Sequence, residues 1–106
     1  MSVIVTFKVK GDPKKLEQLA TDNPGKLPAI AEAAKKAGAI GHRFYGSADG
    51  WILVIDEWPD EQSFQSFFAS QRGEIEPAMA EVGVTSEPEI GFWRKLETND
   101  EIGWGA

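Results

Sequence analysis

Histidine is the side chain that most readily exchanges a proton near neutral pH. This chain has one, His42. It lies in an extended stretch, Gly41-His42-Arg43-Phe44-Tyr45, followed by the turn residues Ser47-Ala48-Asp49-Gly50 and then the apolar run Trp51-Ile-Leu-Val-Ile-Asp-Glu-Trp58. If Asp49-Gly50 is a two-residue hairpin loop, His42 sits opposite Glu57. With a four-residue loop, Ser47 to Gly50, it faces Ile55 and is diagonal to Glu57. Both registers keep His42 and Glu57 on one sheet face, because the loop length changes by an even number, whereas a three-residue loop breaks the relation. Cross-strand neighbours lie roughly 4.5–5.5 Å apart at Cβ, within reach of a side-chain hydrogen bond. A carboxylate there would hold one imidazole tautomer and make His42 a candidate general base, with Glu57 assisting. The same pair also fits a satisfied polar contact at a strand end or a dimer seam.

The same counting puts Arg43 with Asp56 on the opposite face, together with Tyr45. An ion pair across two strands accounts for them, and so does an anchor for an anionic or phenolic ligand. Four tryptophans are a heavy aromatic load for 106 residues. With Phe64, Phe67 and Tyr45 they suit core packing or a pocket for a flat aromatic molecule. Trp58 is the candidate pocket tryptophan, because it ends a strand just before a helix start.

Composition narrows the alternatives. Eleven basic against 17 acidic side chains give a formal net charge of −6, the wrong sign for gripping nucleic acid. The absence of cysteine removes disulfides, thiolate metal sites and thiol nucleophiles, and a lone histidine cannot supply a multi-histidine metal site. No phosphate loop, dinucleotide fingerprint, nucleophile elbow or zinc spacing occurs. The first residues lack a basic segment and a long apolar segment, and no run is long enough to span a bilayer, so a cytoplasmic protein is the expectation.

These side chains must be carried by regular elements. Ser2 to Lys10 alternates apolar and polar and ends at Gly11, as a strand does. Asp12-Pro13 opens a helix by capping it and starting it with proline. Asn23-Pro24-Gly25 breaks the helical period, which resumes to Ala37 and Gly38, giving one kinked helix or two short ones. Ala39–Gly46 and Trp51–Trp58 form a hairpin. Asp60 caps a helix bearing Phe64, Phe67 and Phe68, which Gly73 interrupts before a further segment ends at Gly83. Glu89 to Leu96 is the last strand. The order is β-α-β-β-α-β, the ferredoxin-like α+β topology, with both helical layers on one face of a four-stranded antiparallel sheet. The run Trp51–Ile55 has no polar face, so the second face of the sheet needs cover. A homodimer packing sheet on sheet supplies it. Residues 1–96 make the domain, and the acidic, glycine-rich tail 97–106 holds Trp104, which suits docking on the partner chain.

The segments Gly41–Tyr45, Asp49-Gly50, Val54–Trp58, Ser63-Phe64 and Phe67-Phe68 together resemble the dimeric α+β barrel proteins. Within them the chain is similar to the antibiotic-biosynthesis-monooxygenase-like group, over roughly residues 3–96. The resemblance implies a homodimer that binds a small aromatic molecule and works without a cofactor, as a monooxygenase or cyclase. It equally covers non-catalytic, stress-associated or accessory dimers, since a fold does not fix an activity. Many oxygenase-like members carry a histidine where this chain has Phe67. The haem-degrading branch shares the tryptophan matching Trp58 but needs a helix histidine, so haem is not expected.

Overall fold

In a computed structural model describing residues 2–103, the elements follow in the order β1 (Val3–Lys10), α1 (Pro13–Asp22), α2 (Lys26–Lys36), β2 (Gly41–Gly46), β3 (Trp51–Trp58), α3 (Glu61–Glu81) and β4 (Glu89–Trp93). Both local start signals operate. Asp12 accepts from the Lys14 amide at 2.9 Å, with Pro13 opening α1. Asp60 accepts from the amide and the hydroxyl of Ser63, both at 2.7 Å, and opens α3. Asn23-Pro24-Gly25 separates α1 from α2, so the first helical layer is two helices. The second is one. α3 runs through Gly73 and Pro77, contrary to the interruption expected at Gly73. Gly73 faces open space, and buried Phe64, Phe67 and Ala78 anchor both halves of the helix to the sheet.

The four strands form an antiparallel sheet in the order β2-β3-β1-β4, the ferredoxin-like arrangement. Strand alternation then sorts the side chains. Val5, Phe7 and Val9 of β1 and Ile52, Val54, Asp56 and Trp58 of β3 face the helices. Val5, Val9, Ile52 and Trp58 are almost wholly buried there. The core has two lobes, one around Phe7, Leu16, Leu19, Ile52 and Val82, the other around Val5, Ala34, Trp58, Phe64 and Phe67.

Among the described residues no element covers the other face. Ile4, Leu53 and Ile55 are half-buried among their neighbours, while Tyr45 and Trp93 are 40% and 59% exposed. Trp93 lies against Thr6, donating to its hydroxyl at 2.9 Å, a position open only because Gly91 has no Cβ. β4 stops at Trp93, short of Leu96. Beyond it Lys95 pairs with Glu101 at 3.1 Å, and Ile102 is 89% exposed. Trp104, the tail residue expected to dock on a partner, lies outside the described residues. Among the described residues no helix is long and apolar enough to cross a membrane.

Candidate functional site

The turn between β2 and β3 decides what His42 meets. Ser47 and Trp51 close it: the Ser47 amide donates to the Trp51 carbonyl at 2.9 Å, and the Trp51 amide donates to Ser47 Oγ at 3.0 Å. Three residues, Ala48, Asp49 and Gly50, remain in the loop, with Gly50 at a φ of +87° where glycine carries no steric penalty. An odd loop shifts the register by one, and a shift of one exchanges the faces. His42 therefore pairs with Asp56, and Gly41 with Glu57.

The expected His42–Glu57 pair is thereby corrected. Glu57 points to the outer face, where Ser2 Oγ donates to it at 2.5 Å. Arg43 faces Ile55 rather than Asp56, and its guanidinium donates to the Tyr45 hydroxyl at 3.3 Å, also on the outer face. Neither Arg43 nor Tyr45 reaches the space between sheet and helices.

On the helix side, His42 Nδ1 lies 2.7 Å from Asp56 Oδ1, and Trp58 Nε1 donates to Asp56 Oδ2 at 3.1 Å. Asp56 is the one buried charged residue among those described, 8% exposed, and both of its oxygens are engaged. A carboxylate can only accept and an indole N–H can only donate. The nitrogen facing Oδ1 therefore carries the hydrogen, and Nε2 of the neutral ring is left with its lone pair. The imidazole stands edge-on to Phe44, ring centres 5.0 Å apart. Its side chain is one-third exposed.

The dyad forms the polar wall of a cavity of about 80 Å³ between the sheet and helices α2 and α3. The rest of the lining is apolar, including Ile30, Val54, Phe64, Phe67, Phe68 and Met79. Phe64 and Phe68 stack at 5.8 Å, which gives that wall a flat surface. Phe64 and Phe67, two residues named from the sequence, thus stand on the cavity with His42. Trp58 does not line it. It is fully buried behind Phe67, ring centres 5.3 Å apart, and meets the dyad only through Asp56. A larger, open depression of about 710 Å³ lies beside the β2–β3 turn and the start of α1. Its wall carries the exposed side chains of Lys14, Lys15 and Glu17.

Asp56 is the residue that sequence reasoning missed in this role. The signal was present: an aspartate inside a run of apolar strand residues, two positions from a tryptophan and therefore on its face. A charge in that setting needs partners.

No family model matches the chain, and no curated protein is significantly similar to it in sequence. Its structure is similar to several solved ones. A proposed antibiotic biosynthesis monooxygenase from Deinococcus radiodurans superposes with a TM-score of 0.64 at 18% identity, over 95% of this chain and 99% of that one. SnoaB, a cofactor-independent oxygenase from Streptomyces nogalater, gives 0.57 at 22% identity, over 94% and 96%. A dimeric ferredoxin-like protein from an uncultured marine organism gives 0.63 at 11% identity, over 95% and 93%. The chain has the ferredoxin-like fold that these proteins share, as its resemblance to the antibiotic-biosynthesis-monooxygenase-like group implied.

Proposed function

We propose that this chain is a homodimeric, cofactor-independent oxygenase for a small aromatic substrate of the phenol type, with His42 as the base. One observation carries the reading: an imidazole held at 2.7 Å by a buried carboxylate, set as the polar wall of an otherwise apolar cavity. Asp56 fixes the ring and its tautomer, and Trp58 fixes Asp56, so the lone pair of Nε2 is presented without reorganisation. Removing a phenolic proton makes an electron-rich phenolate. It passes one electron to dioxygen, and the resulting radical and superoxide combine at a ring carbon, the peroxide taking back the proton held by His42. His42 then removes the proton on that carbon, the O–O bond breaks, and the hydroxide leaves with that proton as water. The ring loses two hydrogens and gains one oxygen atom, ending as a quinone. Dioxygen is the sole oxidant. The likeness to SnoaB supports this class of chemistry.

The homodimer rests on the bare sheet face. Ile4, Leu53, Ile55 and Trp93 make an apolar surface that a second copy would bury. Lys8 and Lys10 flank Trp51 at one end of that face and Glu57 stands at the other. A two-fold axis running across the strands would set basic over acidic ends. Ile102 in the tail, 89% exposed, is a further apolar side chain that a partner chain would cover.

The test is binding followed by turnover. Electron-rich phenols such as resorcinol are titrated against tryptophan fluorescence, and oxygen uptake is then measured in the wild type and in His42→Ala. The expected result is uptake that disappears with His42. Binding without uptake would make the chain a ligand carrier, and no binding of any phenol would sink the whole reading.

A further inference from the structure

The cavity beside His42 is small. At about 80 Å³ it falls well below the roughly 300–1,000 Å³ of ordinary ligand pockets. A second space, a groove of about 240 Å³ between α3 and the loop leading into β4, lies directly behind it. The partition between the two consists of Phe7, Phe68, Ile75 and Met79, each of which lines both spaces. Two of the four are braced, since Phe7 and Phe68 meet edge to face at 5.6 Å and Phe68 also stacks on Phe64. Met79 is different. Its backbone is pinned, because its carbonyl accepts from the amides of Val82 and Val84 at 3.2 and 3.1 Å. Its side chain is only half-buried, and an unbranched thioether repacks at little cost. Rotation of that one side chain would join the spaces, and together they reach the lower end of the ordinary pocket range.

We propose that the groove is a second subsite, entered past Met79, which holds an amine-bearing tail of the substrate while its phenolic ring occupies the inner cavity. The inference rests on the reading of the cavity given above. Charge selects the tail. The groove carries Glu76 and Glu87 against Arg72. The guanidinium is already engaged, 3.8 Å from Glu76 and over the Phe68 ring at 5.5 Å from its centre. The surplus carboxylate favours an ammonium group and disfavours an acid. Thr85 and Ser86 add hydroxyls on the same wall. The substrate class is therefore an arylalkylamine with a ring hydroxyl, and a carboxylate at the tail end is disfavoured.

Three probes sharing one head distinguish the subsites: phenol, tyramine and 3-(4-hydroxyphenyl)propionate, titrated by calorimetry and by NMR on the intact protein. Phenol is expected to shift the His42 ring signals and leave the amides of residues 85–87 unmoved. Tyramine shifts both sets and binds about tenfold tighter than phenol, the effect of one charge-assisted contact. The propionate binds no tighter than phenol. Glu87→Gln brings tyramine toward the affinity of phenol and leaves phenol unchanged. Met79→Ile, a stiffer plug of similar size, weakens tyramine more than it weakens phenol, since Met79 borders both spaces. If phenol binds at His42 but tyramine gains nothing, or residues 85–87 stay silent, the subsite falls and the cavity stands. If phenol does not bind at all, both fall together.

Discussion

Asp56→Asn is the sharpest perturbation of the dyad, because it changes hydrogen-bond polarity while keeping shape. Asp56 accepts from His42 on one oxygen and from Trp58 on the other. An asparagine side chain keeps one acceptor and turns the other into a donor. Trp58 can only donate and is fully buried, so the amide oxygen must stay with it. The NH₂ group is then left facing His42 Nδ1. Two donors cannot share that contact at 2.7 Å, so the imidazole shifts its hydrogen to Nε2 and Nδ1 becomes the acceptor. Stability changes little. Two bonds to a charged acceptor become one to a neutral acceptor and one from a neutral donor, offset in part because a charge is no longer buried, for a net loss of about 1–2 kcal/mol. On the proposed role of His42 as base, oxygen uptake falls much more, because Nε2 no longer has a lone pair; a locked tautomer of this kind is worth up to about 10⁴ in rate. The assay is long-range ¹H–¹⁵N NMR above the histidine titration, and with one histidine in the chain the signals need no assignment. Wild type should report the Nδ1–H form and Asp56→Asn the Nε2–H form. The same tautomer in both would refute the argument.

Three further outcomes follow from the same contacts. Trp58→Phe removes the donor to Asp56 Oδ2 and leaves space at a fully buried site, so urea unfolding should show a loss of about 2–4 kcal/mol; a loss under 1 kcal/mol would mean that the indole N–H is unimportant. Ile55→Lys sets a charge in the middle of the bare sheet face, beside Arg43 and Thr6, and should raise the dissociation constant of the proposed dimer at least about 100-fold in sedimentation without unfolding the chain; an unchanged constant would count against an interface on this face. Asp60 caps α3, and its bonds from the Ser63 amide and hydroxyl hold its carboxyl below the ordinary aspartate range. A lowered folded-state value stabilises the fold above the unfolded value, and that contribution is lost as pH falls through the folded one. Asp60→Asn, itself a good cap, should keep most of the neutral stability and give a shallower acid loss; identical acid profiles would contradict this.

The sequence by itself determined the elements and their sorting into layers. Period-2 alternation in Val3–Lys10, the Asp12-Pro13 and Asp60 starts, and the breaks at Asn23-Pro24-Gly25 and Gly38 are local signals, each read from a few neighbouring residues. They suffice for the β-α-β-β-α-β order and for a sheet with one bare apolar face. They did not suffice for α3, where Gly73 was expected to interrupt the helix but long-range burial of Phe67 and Ala78 carries it through. The site lay further out of reach. Which carboxylate meets His42 depends on whether the β2–β3 loop has an even or an odd number of residues. The bonds between Ser47 and Trp51 set it at three, and that parity put His42 on the face of Asp56 and away from that of Glu57. A strand face is a binary choice, so a change of one residue in a turn replaces every partner on it. The cavity was decided at the same level, because Ile30, His42 and Phe64 come from three separate elements, α2, β2 and α3, and meet only when the helices close on the sheet.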